Sequence, residues 1–285
     1  MRQNSSMLGT LQRYLFGRSV EIPEALWAEE LRALPLLHQL DAPVLQRLRA
    51  LCGRFLAEKT MIGAAGLQLS APMELHIATQ ACLPILHLGL RWYRGWRGIV
   101  VYPAAFRVRR KVHEENGLVH EIDADLTGEA WKGGPVVLSW EAAAADPLRT
   151  SHRPHGPASN VVIHEFAHKL DLLDGDADGT PPFDRRVHGD LDRATWQRVL
   201  EDAFERFCAE LELVEGEIAP NVDPDSMDAD RYYAHLPLDP YAATDTAEFF
   251  AVSSEAYFLR PEQIRAAFPQ WYELLHRFYR GGTGT

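Results

Sequence analysis

Val161-Val162-Ile163-His164-Glu165-Phe166-Ala167-His168-Lys169-Leu170-Asp171 is the stretch that decides the fold. It is largely apolar and carries H-E-x-x-H at 164–168. On a helix, positions four apart lie on one face, one turn above the other. His164 and His168 can therefore present two imidazoles to one metal ion. Two neutral imidazoles suit Zn²⁺, which in hydrolytic sites keeps one coordination position for water and lowers that water's pKa towards ~7. Glu165, beside the first histidine, is placed to take the proton as general base. A surface helix with two chance histidines is the plainer alternative. Val161, Val162, Ile163, Phe166, Ala167 and Leu170 argue against it, because they predict a buried helix. Buried imidazoles and a buried carboxylate are costly unless paired or bound to metal.

A hydrolytic zinc site needs a third protein ligand. The local pattern H-E-x-x-H-x-x-G-x-x-H, sometimes ending in Asp, would offer Asp174. Its turning Gly is replaced here by Asp171, and Leu172-Leu173 read as continuing helix, which leaves Asp174 badly placed. A remote source fits better. Tyr241 to Phe258 reads as a capped, strongly apolar helix, with Thr244 or Asp245 as cap and two carboxylates, Glu248 and Glu255. Glu248 lies in its first turn among Ala247, Phe249, Phe250 and Ala251, where a carboxylate needs a partner. Glu255, seven residues on, is the second candidate ligand, with helix pairing as its plainer role. Asp171 is expected to orient a ligand or a neighbouring helix. The Tyr241 hydroxyl could stabilise an oxyanion.

The chain has 285 residues and a net charge of −11, which argues against a nucleic-acid backbone as partner. Cys52, Cys82 and Cys208 are far apart and odd in number, so they form no disulfide framework and point to a reducing compartment. Residues 1–20 lack the apolar run of a signal peptide, and no stretch reaches the ~18 apolar residues of a membrane span. A cytoplasmic protein without membrane contact is the expectation.

The expected fold is α+β: mostly helical, with a small mixed sheet and a two-helix active site. A flexible lead-in at 1–20 precedes one catalytic domain, 21–280, and a disordered tail at 281–285. Within the domain come a helical part at 21–97, a sheet at 98–140, and active-site helices at 159–174 and 245–258. Ile22-Pro23-Glu24 opens a helix with apolar positions to Leu37, and Asp41 caps a second helix. A helix from Ser70 runs towards Gly89 with a kink at Pro84. Trp92, Tyr93 and Trp96 read as packing between layers. Strands are expected at Ile99 to Tyr102, at Phe106 to Val112 with a return at Leu118 to Ile122 across Glu115-Asn116-Gly117, and at Val136 to Trp140. This last strand is a candidate edge for pairing with an extended substrate. Ala142 to Pro157 reads as a loop, and Ser159 or Asn160 caps the motif helix. Asp174 to Gly179 imitates the start of an EF-hand but has Arg185 where the closing Glu belongs, so it reads as an acidic loop rather than a calcium site. Arg193 to Leu213 is a long amphipathic helix.

H-E-F-A-H-K-L-D (164–171), D-G-D-A-D-G (174–179) and Y-A-A-T-D-T-A-E-F-F-A (241–251) together resemble the Mlc titration factor A family of zinc metallopeptidases. R-F-L-A-E-K-T (54–60), Gln80-Ala81-Cys82-Leu83, V-Y-P-A-A-F (101–106), G-E-A-W (128–131) and G-P-V-V-L-S-W (134–140) extend the resemblance over most of the chain. Thr246 stands where Pro is often expected. The resemblance implies a gluzincin-like fold, similar to the catalytic domain of anthrax lethal factor. It implies one Zn²⁺ held by His164, His168 and Glu248, with Glu165 as general base and Tyr241 as the transition-state hydroxyl. It also implies aminopeptidase-like action on peptides and binding of a glucose-responsive transcriptional repressor, Mlc. The alternative function is a regulatory protein that sequesters a transcription factor and has weak or conditional peptidase activity. A zinc-stabilised structural protein would need a fourth protein ligand.

Overall fold

A computed structural model describes residues 19–113, 119–126, 128–130, 133–145, 159–224 and 226–281. Helices α1 (Glu24–Ala33) and α2 (Ala42–Glu58) open the fold. The stripe read as one helix to Leu37 is broken: α1 stops at Ala33, and Pro35 begins a 3₁₀ turn over Pro35–Gln39. Asp41 caps α2, its side chain accepting from the Val44 amide. Strand β1 (Thr60–Gly63), not expected before Gly98, leads to α3 (Ala71–Cys82). Pro84 does not kink α3. The helix has ended two residues earlier, because proline supplies no amide to continue the ladder.

The sheet contains β1, β2 (Gly98–Tyr102), β5 (Gly128–Ala130) and β6 (Val136–Ser139), in the order β1-β2-β6-β5. The first three neighbours run parallel, and β5 runs antiparallel to β6. The expected hairpin is present as β3 (Phe106–His113) with β4 (Val119–Leu126); its turn lies outside the described residues. Val136 to Trp140 is not a sheet edge. Strand β6 is hydrogen-bonded on both sides, and Trp140 already begins the short helix α4 (Trp140–Ala144). All four β6 residues, Val136, Val137, Leu138 and Ser139, are buried, as befits a central strand. The outer strand on this side is β5. Residues 142–144 are helical rather than loop, and 146–158 lie outside the described residues.

Helix α5 (Val161–Asp171) packs against β5 and β6 of the sheet. Val162, Ile163, Phe166, Ala167 and Leu170 are fully buried. Burying each of the larger side chains contributes about 1.5–3 kcal/mol. Phe166 packs on Tyr93 at 5.0 Å, Trp96 at 5.6 Å and Phe55 at 5.7 Å between ring centres, so these aromatics do join layers. The helix stops at Asp171, three residues short of the expected end. Helix α6 (Arg185–His188) follows, then α7 (Arg193–Gly216), α8 (Asp230–Tyr233), α9 (Thr246–Leu259), α10 (Pro261–Ala267) and α11 (Pro269–Arg280). Helix α9 is buried almost all round and packs directly on α5. Its two serines are used by α11: Ser253 accepts from the Trp271 indole and Ser254 from the Tyr279 hydroxyl.

Candidate metal centre

Each half of the site is set by a helix cap. Asn160 caps α5, its side-chain oxygen accepting from Ile163 N at 2.9 Å. Asp245 caps α9 by accepting from Glu248 N at 2.9 Å. Such caps are each worth about 1 kcal/mol, and here they fix where His164 and Glu248 fall on their helices. The helices then bring His164, His168 and Glu248 together. His164 Nε2 lies 3.1 Å from Glu248 Oε2, His168 Nε2 lies 3.2 Å from the same oxygen, and the two Nε2 atoms are 3.2 Å apart. Tetrahedral zinc with ligands at 2.0–2.1 Å has donor-to-donor edges of about 3.3 Å. Three donors converging at that spacing, two nitrogens and a carboxylate oxygen, fit one small cation. They form the one such His/Cys/Asp/Glu group among the described residues.

Glu255 is not the third donor. It stands behind the first histidine, its Oε1 2.8 Å from His164 Nδ1, while its Oε2 accepts from the Asn160 amide. An acceptor at Nδ1 holds the proton there and leaves the Nε2 lone pair for a metal. Asn160 Nδ2 in turn donates to Gln80 Oε1 at 2.6 Å. A buried polar chain thus ties α3, the cap of α5 and α9 to one imidazole. Its members come from three distant segments, so only the helical spacing of Glu255 from Glu248 hinted at it.

Glu165 is buried and packs under β5. A Cβ on Gly128 would sit 2.4 Å from Glu165 Oε1 and 2.7 Å from its Cγ, so only glycine leaves room for this carboxylate. Glu165 Oε2 has no hydrogen-bond partner among the described residues. Burial pushes the Glu165 carboxyl up to about 8; the His164 imidazole opposes the shift, and the negative charges of Glu248 and Glu255 add to it. Burial likewise works to raise Glu248, but hydrogen bonds to His164 and His168 outweigh it and hold the carboxyl far below its ordinary range. For His164, burial lowers the value while Glu248 and Glu255 together raise it well above the usual imidazole range. A cation among these donors inverts that preference, since an imidazole must be unprotonated to bind metal.

Tyr241 sits in a 3₁₀ turn, Pro240–Ala243, that enters α9. Its ring lies 6.2 Å from that of His164, and its hydroxyl donates to Glu248 Oε1 at 3.4 Å. Burial first, and then Glu248, push its pKa up to about 12, so it remains a proton donor at neutral pH.

Asp171 and Asp174 are elsewhere. Asp171 is fully buried and accepts from Gly179 N at 2.8 Å, and among the described residues it is bonded to no histidine. Asp174 and Asp178 both pair with Arg193, at 3.0 and 2.7 Å. The acidic loop still serves the site indirectly, because Thr246 Oγ1 donates to the Asp178 carbonyl at the start of α9.

Two helices thus converge on a His-His-Glu triangle, with a carboxylate and a phenol beside it. The family model of the glucose-regulated metallo-peptidases M90 matches residues 10–280. The chain belongs to this M90 family. Mlc titration factor A of Escherichia fergusonii is 36% identical over 252 residues, 88% of this chain and 84% of that protein. The protein of the same name from Serratia proteamaculans is 37% identical over 257 residues, 90% and 87% of the two chains. Membership in this metallopeptidase family implies a metal ion, and the His164–His168–Glu248 group has the donors for one. No helix among the described residues is long and apolar enough to cross a membrane.

Proposed function

We propose that this M90 protein is a zinc-dependent, aminopeptidase-like peptidase acting in the cytoplasm, with His164, His168 and Glu248 as the ligands of one Zn²⁺. The observation that carries the reading is the 3.1–3.2 Å triangle of donors with the unpartnered Glu165 carboxylate beside it. When bound, the ion would polarise a peptide carbonyl and make a water molecule acidic. Glu165 accepts that water's proton and delivers it to the departing amine. Burial makes its carboxylate the stronger base that this transfer needs. Tyr241 keeps its proton and donates it as a hydrogen bond to the developing oxyanion, leaving Glu248 for the purpose. Glu255 holds the His164 ring at its correct tautomer. The outer edge of β5, directly above Glu165, is the backbone to which an extended peptide would pair. The aminopeptidase-like preference follows from the family resemblance.

The test is Glu165→Gln. The variant should bind zinc with wild-type stoichiometry and lose about 10²–10⁴ in peptide hydrolysis. Full activity in the folded, zinc-loaded variant would reject the mechanism.

The name of the relatives favours a second role, sequestration of an Mlc-like transcriptional repressor. The two readings separate in the same variant: a binding function survives Glu165→Gln, whereas a function exerted through hydrolysis does not.

A further inference from the structure

Gln80 lies on α3 and is 1% exposed. A buried amide costs stability unless both of its ends are bonded, and here both are. Gln80 Nε2 faces two carbonyl oxygens, His76 O at 3.2 Å and Ala143 O at 3.1 Å. Carbonyls only accept, so this end is the NH₂ group and the other is the acceptor. That acceptor, Oε1, takes Asn160 Nδ2 at 2.6 Å. The Asn160 amide is fixed in the same way. Its Oδ1 faces the Ile163 N–H at 2.9 Å, so the group turned to Gln80 is its NH₂. The Asn160 backbone N–H donates to Glu255 Oε2, which leaves Glu255 Oε1 for His164 Nδ1 at 2.8 Å. Asn160 and Glu255 are each 4% exposed, so solvent offers no ready substitute for a missing link. Each amide has one possible sense, and the chain that starts at Gln80 ends with an acceptor against His164 Nδ1. Gln80 itself bonds to none of the three candidate metal ligands.

We propose that Gln80 is a positioning residue for the metal centre. By holding the Asn160 side chain it aims the Asn160 N–H at Glu255, keeps Glu255 Oε1 on His164 Nδ1, and so presents His164 Nε2 to the ion. Without the Gln80 acceptor, a buried Asn160 N–H loses its partner, and the cap must turn to find another. The proposal rests on the zinc reading above for its effect on metal binding, but the hold on the His164 ring exists in the metal-free chain as well.

Two readouts on the full chain test it. Without metal, proton NMR follows the Nδ1 proton of His164, assigned by its absence in His164→Asn. With metal, a competition titration measures zinc affinity. Gln80→Met keeps the length of the side chain and removes the amide. The His164 proton should then exchange faster with solvent, and zinc affinity should fall about tenfold, the lower end of the range for outer partners of a ligand histidine. Glu255→Gln combined with Gln80→Met should cost no more affinity than Glu255→Gln alone, because both cut one chain. Thr79→Val removes the adjacent buried hydroxyl, which donates to Leu75 O within α3, and should move neither readout. A His164 proton or a zinc affinity unchanged in folded Gln80→Met would overturn the proposal. So would an equal loss in Thr79→Val, or additive losses in the double variant. Should Gln80→Met fail to fold, Gln80→Asn, whose shorter side chain draws the acceptor away from Asn160, carries the same expectations. Failure of the wild type to bind zinc would instead reject the metal assignment, and the metal-free proton signal would then decide the role of Gln80 alone.

Discussion

Helix α5 meets two clusters of carboxylates, one beside its middle and one past its C-terminus, and the two do opposite things. Towards its middle, Glu248 and Glu255 arrive from α9 and meet two imidazoles. Just past its C-terminus, Asp174 and Asp178 meet a guanidinium, and Asp171 meets a backbone amide. The acidic loop is richer in carboxylates and has the more cation-like sequence. Two of its charges, Asp174 and Asp178, are nonetheless already paired with Arg193. At the donor triangle, the three atoms face one another at 3.1–3.2 Å, and Glu165 Oε2 faces none. Density of acidic residues is thus a poor guide to a metal site. What counts is which donors the fold leaves facing a shared point.

Several changes would break or sharpen this contrast. Tyr241→Phe removes one hydroxyl beside the triangle and no ligand; turnover should fall about 10²–10³ while zinc binding and stability stay unchanged. Steady-state kinetics on zinc-loaded protein would check it, and wild-type turnover would remove Tyr241 from the mechanism. Glu255→Gln places an amide donor against either the Asn160 N–H or His164 Nδ1. Zinc affinity should drop about 10–100-fold in a competition assay, with the chain still folded. An unchanged affinity would mean that Glu255 only pairs helices.

On the loop side, the expected effects are smaller and concern stability. Burial pushes Asp171 up to about 7 from an ordinary 3.8, against the lowering effect of the Gly179 hydrogen bond. The folded protein therefore holds this proton at pH values where the unfolded chain has lost it. Stability from Asp171 is full below pH ~4 and is lost as pH rises through about 7. Asp171→Asn keeps an acceptor for Gly179 and cannot ionise, so its urea midpoint should fall less than wild type between pH 4 and pH 8. Parallel pH profiles in the two proteins would contradict this.

Much of the site was legible because helical geometry is local. The spacing of His164 and His168, the cap at Asn160 and the cap at Asp245 all act within four residues. Glu248 could be named as a partner from its apolar neighbours and the missing Gly at Asp171. Glu255 could not be given its role, since its contacts lie 91 and 95 residues away and depend on how α9 docks. The edge strand was misread for a similar reason. Strand β6 is uniformly buried, which marks a central strand, but its partner β5 is only three residues long and too short to show a period. Gly128 was visible only within G-E-A-W, and its reason is steric contact with Glu165 across the fold. Strand β1 has four residues of mixed burial and pairs in parallel with β2, a non-local contact without a turn signal.

The central claim is that the triangle, and not the acidic loop, is the metal centre. Calorimetric zinc titration of the wild-type chain beside Glu248→Ala and Asp174→Ala tests it most directly. The account predicts one zinc per chain in the wild type and in Asp174→Ala, with binding lost or weakened at least a hundredfold in Glu248→Ala. Undiminished zinc binding in folded Glu248→Ala, or loss of it in Asp174→Ala, would contradict the account.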